Sequence, residues 1–318
     1  MGLAFSVRVP ATSANIGPGF DCLGVALGLY LTAECTPSSA FAMELHGEGA
    51  DRLPVDGRNL LARCLAAGRM SDAPGAEPPL PPIRLVIRNE IPLAHGLGSS
   101  SAAIVAGLTV GRILEKIENG QDPALDGEDR ERLVRAANRI EGHPDNVAPA
   151  VLGDLVICGA EEDSVVTFRE PWPDALRFVA VIPDLTVSTE AARRALPTTI
   201  AHGDAVANGA RLARLLGALR ARRFEHLRSA LQDRLHQPFR LPLATGLADV
   251  LAALDAHPDA AGAYLSGSGP TVMALCAESS ERAEALGATG VIEFGRHGVS
   301  ATSRILQVDR NGVSVGSG

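Results

Sequence analysis

Residues 83–102 constrain the fold more than any other stretch. An alternating pattern, Ile-Arg-Leu-Val-Ile-Arg over 83–88, reads as a strand. It leads through Pro92 into His95-Gly-Leu-Gly-Ser-Ser-Ser101, and a strongly helical stretch follows over 102–118. This order sets a glycine turn directly at a helix start. The free N–H groups of the first helical turn and the positive end of the dipole then face the loop. The glycines let the backbone turn toward a ligand, and the serines add hydroxyls. The combination suits an anion, most naturally phosphate. With no lysine in the loop, backbone dipoles must hold the charge together with a metal. A serine-rich helix cap is the plainer alternative. The preceding strand and proline favour the ligand site.

Composition narrows the chemistry. The chain has 318 residues and 29 basic side chains, of which only Lys116 is lysine. A Walker A loop, a protein kinase and a pyridoxal-phosphate enzyme each need a lysine in a set context, and Lys116 matches none of them. The net charge of −8 argues against a general nucleic-acid binder, which would show a basic stripe, and leaves local basic sites open. Aromatics make up 3%, so the core must be built from Ala, Val, Leu and Ile. Cys22, Cys35, Cys64, Cys158 and Cys276 form no CxxC pair and no zinc spacing. They read as reduced thiols filling the core of a cytoplasmic protein. The N-terminal apolar run is broken at once, and no stretch reaches about 18 apolar residues, so neither a signal peptide nor a membrane span is expected.

Along the chain, 3–9 alternate as a strand ending at Pro10, and a turn-rich loop is expected over 11–21. An extended apolar run covers 22–35. Residues 71–82, with five prolines, read as a surface loop. A charged amphipathic helix spans 128–140. Strands are expected at 155–158 and 177–182, helices at 208–219 and 224–236, and a strand, glycine turn and strand over 263–276. Residues 305–315 read as a terminal hairpin with an Asn-Gly turn. Strand pairs and helices without regular βαβ alternation indicate an α+β fold, divided into 1–160 and 161–318.

Three further constellations carry chemistry. Glu141-Gly-His-Pro-Asp-Asn146 gathers two carboxylates, an imidazole and a carboxamide within six residues. One carboxylate suits Mg²⁺, and the other can orient or deprotonate a hydroxyl; a plain helix stop followed by a cap is an equal alternative. Ser266-Gly-Ser-Gly-Pro-Thr271 alone reads more simply as a tight hairpin. Residues 11–21, Ala-Thr-Ser-Ala-Asn-Ile-Gly-Pro-Gly-Phe-Asp, are too small and polar for most core segments and suit a binding loop. Arg193 reads equally well as helix solvation. Arg240, set between prolines, is more suggestive. His95 has a plain reading as a solvent-facing side chain.

Taken in order, residues 10–21, 92–102 and 265–271 resemble the three motifs of the GHMP small-molecule kinases. Residues 141–150 (Glu-Gly-His-Pro-Asp-Asn-Val-Ala-Pro-Ala), 188–193 (Ser-Thr-Glu-Ala-Ala-Arg) and 236–240 (His-Gln-Pro-Phe-Arg) are most similar to that family's homoserine kinase branch. The resemblance runs nearly end to end. It implies a two-domain α+β architecture, with a ribosomal-S5-domain-2-like N-terminal ATP-binding domain and a ferredoxin-like C-terminal domain, and a homodimer. It implies ATP-dependent phosphorylation of the L-homoserine side-chain hydroxyl, a step toward threonine, with Mg²⁺.

Carried over by motif, Pro92, Leu93, Ala94, His95, Gly96, Leu97, Gly98, Ser99, Ser100 and Ser101 bind ATP, with the backbone of Gly96 to Ser101 cradling its phosphates, while Glu141 and Ser99, alone or with Ser100, hold Mg²⁺. Asn15 and Asp21 take the substrate ammonium, and Arg193 and Arg240 its carboxylate. His143, Asn146 and Thr189 lie near the hydroxyl. Asp145 matches the catalytic aspartate of mevalonate-type relatives, with direct attack by the hydroxyl as the competing mechanism. Other readings are a kinase of mevalonate, a sugar or another alcohol, and a GHMP-fold ligand sensor without turnover. Ala94-His95 stands where many relatives carry smaller residues. The spacing from Glu141 to His143 is shorter than in some homoserine kinases.

Overall fold

The computed structural model describes residues 4–69, 79–162, 164–277 and 279–317. The first half runs β1 (Phe5–Ala14), β2 (Leu23–Pro37), β3 (Ala42–Gly47), α1 (Leu60–Gly68), β4 (Ile83–Asn89), α2 (Ser99–Glu118), α3 (Gly127–Glu141), α4 (Pro144–Leu152), β5 (Leu155–Ala160) and β6 (Val165–Glu170). The chain continues as β7 (Arg177–Pro183), α5 (Thr189–Arg194), α6 (His202–Ala221), α7 (Leu227–Ala230), α8 (Gln237–Arg240) and α9 (Leu247–Ala256). It closes with β8 (Ala260–Leu265), β9 (Val272–Cys276), α10 (Ser280–Arg296), β10 (Ala301–Leu306) and β11 (Ser314–Ser317). Among the described residues no helix is long and apolar enough to cross a membrane.

Two sheets organise these elements. The seven-stranded sheet has the order β11-β1-β2-β4-β3, with β5 pairing β2 and β6 pairing β5. The four-stranded sheet has the order β10-β7-β9-β8 and is antiparallel throughout. Helices α2 and α4 cover the first sheet, with α1 packed on α2, and α9 and α10 cover the second. The cores are aliphatic, as the composition requires. Leu27, Leu85, Val105 and Val147 are fully or almost fully buried in the first, and Val181, Leu254, Leu265 and Leu286 in the second. Each such side chain contributes about 1.5–3 kcal/mol on leaving water.

Several sequence expectations change. β1 does not end at Pro10; it shifts register there and pairs with β2 through Ala14. The loop therefore starts only at Asn15. Proline is tolerated because the strand is irregular at that point. Residues 224–236 are not one helix but a 3₁₀ turn, the short α7 and a turn held by Asp233, whose Oδ2 accepts the N–H groups of His236 (2.8 Å) and Gln237 (2.7 Å). Residues 305–315 do not form a hairpin. β10 pairs β7 in the second sheet, and β11 pairs β1 in the first. Asp309 makes the crossing turn by accepting the N–H groups of Asn311 and Gly312. Most of the proline-rich loop expected at 71–82 lies outside the described residues.

Candidate active site

The glycine-serine loop before α2 is tightly constrained backbone. Gly98 caps α2 at φ +70°, and Gly96 sits at φ +75°. A Cβ on Gly96 would lie 2.2 Å from the Ser266 carbonyl, and one on Gly98 1.9 Å from Thr12 Oγ1. Only glycine fits either position. The loop is thus wedged between β1 and the turn after β8. Thr12 N–H donates to Leu97 O (3.1 Å), and Thr271 N–H to His95 O (3.3 Å). His95 does not face solvent. Its ring nitrogens lie 2.6 Å from Leu93 O and 3.0 Å from Pro183 O, tying the loop to the end of β7. Ser99, Ser100 and Ser101 form the first turn of α2, where N–H groups have no partner within the helix.

Glu141 ends α3 and points its carboxylate at that turn. It accepts from Ser101 Oγ at 2.9 Å and from Ser100 Oγ at 3.3 Å. Gly142, in the left-handed region, ends α3 and lets the chain turn at once into α4. His143 is the N-cap of α4, Pro144 follows it, and Asp145 lies in the first turn near the positive end of the dipole. Asp145 is 1% exposed, and its Oδ1 lies 3.0 Å from His143 Nδ1. Burial disfavours the His143 cation, but the hydrogen bond and charge of Asp145 outweigh burial and raise the imidazole above its ordinary value. Asn146 Oδ1 accepts from Thr12 Oγ1 at 2.8 Å, which orients its amide.

Beside these groups lies a cluster of charge around Phe20. Asp21 and Arg193 form two parallel hydrogen bonds of 2.8 and 3.1 Å. Asn15 Oδ1 accepts the Asp21 N–H at 2.9 Å, and both residues sit at positive φ. Arg240 is 2% exposed. It donates to Gly267 O at 2.9 Å and Ala192 O at 3.4 Å, and it has no ion-pair partner among the described residues. Burial, then the like charge of Arg193, push it down to about 10. The Phe20 ring lies 5.1 Å from the Arg240 guanidinium and 5.8 Å from that of Arg193, and it stacks on His236.

One cavity is lined by the 94–101 loop, Glu141, His143, Asp145 and Asn146, together with Asn15, Thr189, Arg193 and Arg240. It brings the glycine-serine loop at the start of α2, the Asp145–His143 pair and two guanidinium groups into a single space. An apolar cavity of about 270 Å³ abuts it at Ser99 and Ser100, walled by Leu31, Leu45, Leu53 and Ile87.

The chain matches the GHMP kinases N terminal domain over residues 59–154 and the GHMP kinases C terminal domain over 215–290. It is 41% identical to a homoserine kinase of Desulfitobacterium hafniense, covering 97% of this chain and 99% of that one. It is 39% identical to a homoserine kinase of Moorella thermoacetica, covering 97% and 99%. The chain belongs to the GHMP kinases, in their homoserine kinase branch. The crystal structure of homoserine kinase from Cytophaga hutchinsonii superposes with a TM-score of 0.81 at 28% identity, covering 99% of this chain and 98% of that one.

In this GHMP kinase the residues singled out from sequence come together. Asp21 meets the cavity through Arg193 rather than lining it. Pro92 and Leu93 support the loop from outside the cavity. Among the serines, Ser100 and Ser101 bond Glu141, whereas Ser99 lines both cavities.

Sequence reasoning missed the apolar cavity, whose walls come from four distant segments. It also missed a buried hydroxyl chain, in which Tyr264 Oη, Ser13 Oγ and Ser266 Oγ follow at 2.9 and 2.8 Å, and Ser266 donates to Gly96 O at 2.7 Å. Three hydroxyl residues spread over 250 positions leave no local signal. The cysteines are free thiols; burial raises Cys22 to about 11 and Cys35 to about 12, which suits core filling.

Proposed function

We propose that the protein transfers the γ-phosphoryl group of ATP to the side-chain hydroxyl of L-homoserine, releasing ADP and O-phospho-L-homoserine. The observation that carries this reading is Arg240, a buried guanidinium with no ion pair among the described residues, which lines the same cavity as the glycine-serine loop. A buried cation that no carboxylate contacts favours an anionic ligand. The α-carboxylate of an amino acid supplies it, and Asp21 with Asn15 supplies the seat for the ammonium. Mevalonate and sugars have no ammonium to use that seat.

ATP sets its phosphates against the N–H groups of Ser99, Ser100 and Ser101 and its base in the apolar cavity. Glu141 with the Ser100 and Ser101 hydroxyls presents oxygen donors, the kind Mg²⁺ takes. No cluster of three or more His, Cys, Asp or Glu side chains could form a cage among the described residues. That fits an ion which takes one or two carboxylates and completes its shell with phosphate and water. Bound there, Mg²⁺ would neutralise phosphate charge.

The chain's own residues then orient the acceptor. Asn146, held by Thr12, and His143, held by Asp145, fix the hydroxyl. Its oxygen forms the new bond to the γ-phosphorus as the bond to ADP breaks, and the hydroxyl proton passes to an oxygen of the transferred phosphoryl group. Phosphoryl transfer rests on positioning and electrostatics, so the hydroxyl attacks directly and Asp145 holds His143 rather than acting as an obligatory base. The reading includes an ATP-binding part at 1–160, a C-terminal part at 161–318, a homodimer and a cytoplasmic location.

The test is ADP release with Mg-ATP and L-homoserine, run beside mevalonate, L-serine, L-threonine and galactose. Turnover with homoserine above all others is expected. Preferred turnover of another alcohol overturns the substrate, and ATP binding without any turnover favours a ligand sensor.

A further inference from the structure

The proposed amino-acid seat contains an ion pair of its own. The two groups assigned to opposite ends of the substrate, Asp21 and Arg193, are bonded to each other through both carboxylate oxygens. Their side chains are 34% and 37% exposed, so a small polar ligand can reach the pair. The two stand on different segments: the Asp21 backbone is fixed by Asn15, and Arg193 belongs to α5. The pair can therefore part by side-chain rotation, with neither backbone moving. Arg240, next to them, forms no ion pair among the described residues and is pushed down by burial and by the like charge of Arg193.

We propose that substrate binding is a partner exchange, in which the ligand separates Asp21 from Arg193, and that this exchange makes the site demand both charges of an amino acid. This rests on the function proposed above. A zwitterion replaces both halves of what it breaks: its ammonium takes Asp21, and its carboxylate takes Arg193 and Arg240. A ligand with a carboxylate alone gains the arginines but strands Asp21. A ligand with an amine alone gains Asp21 but strands Arg193 beside a second guanidinium. Leaving a charge unpaired opposes binding beyond the loss of the missing contact. The pair thus works against every single-charge ligand, and only a two-charge ligand escapes the penalty.

The exchange makes an unusual prediction. Removing one member of the pair frees the other, so a variant should bind the matching single-charge ligand better than the wild type does. The probes are 4-hydroxybutyrate and 3-amino-1-propanol, titrated by NMR against protein saturated with Mg-ADP. Asp21→Asn should bind 4-hydroxybutyrate about three- to ten-fold tighter than wild type while losing affinity for L-homoserine. Arg193→Gln should show the mirror gain for 3-amino-1-propanol. A general loss of structure would weaken all ligands together, so gains of this kind cannot come from damage. Thermal melting verifies folding, and if one variant does not fold the other decides alone. Folded variants that bind their analogues no better than wild type overturn the exchange. Failure of the wild type to phosphorylate homoserine overturns the function instead, because the titrations need no turnover.

Discussion

The Ser266 hydroxyl donates to the Gly96 carbonyl at 2.7 Å, so the turn beyond β8 holds the phosphate loop in front of α2. Ser266 is itself fully buried and joined to Ser13, which is joined to Tyr264. Ser266→Ala leaves the part-buried Gly96 carbonyl without this donor and the buried Ser13 hydroxyl without this partner. We expect a stability loss of about 1–3 kcal/mol by urea denaturation. We also expect the KM for ATP to rise by roughly five-fold or more, with the homoserine KM little changed. An unchanged ATP KM would separate this contact from loop positioning.

Glu141 and Asp145 differ in what they face. Glu141 points at the serine turn of α2, whereas Asp145 is engaged by His143. Glu141→Gln should lower kcat by about 100-fold or more, and Asp145→Asn by roughly ten-fold. Steady-state kinetics on folded variants check the ranking, and equal losses would return Asp145 to the role of general base.

His143 gives a pH signature. Its folded pKa is raised by Asp145 against the opposing effect of burial. The stabilisation is therefore fully present below the unfolded value and lost as pH rises through the higher folded value. Compared with His143→Asn, the wild-type Tm advantage should be largest near pH ~6 and shrink by pH ~8. An advantage that grows with pH would contradict the pairing.

Arg240→Gln removes the buried cation while keeping polar reach toward Gly267 O. We expect the KM for L-homoserine to rise by about 100-fold, with ATP affinity within about two-fold of wild type. Nucleotide titration and initial rates read the two effects separately. A matching loss of ATP affinity would place Arg240 outside the carboxylate seat.

Local patterns carried the first part of the fold. The strand, glycine turn and helix over 83–118 was legible because a period of two, a proline and a 3.6-residue period follow one another without a break. The α3–α4 junction was legible as Gly142-His-Pro144, a left-handed stop followed by a helix start. Where pattern and environment diverged, the environment prevailed. Asn311-Gly312 looks like a hairpin turn, yet β10 and β11 find partners in different sheets. β3 and β6 drew no strand assignment because His46, Phe168 and Arg169 break the alternation of strands exposed at the sheet's margin.

The sequence by itself determined the chemistry on offer. Glycines at 96 and 98 before serines at a helix start make an anion seat, and the family motifs name the residues around it. Tertiary structure decided the pairings. Asp21 meets Arg193 across 172 residues, Ser266 meets Gly96 across 170, and Arg240 is left buried with no ion pair among the described residues. Pairings of this kind depend on which strands become neighbours. That choice is made by burial of apolar surface summed over both sheets, a quantity that no local stretch of sequence contains.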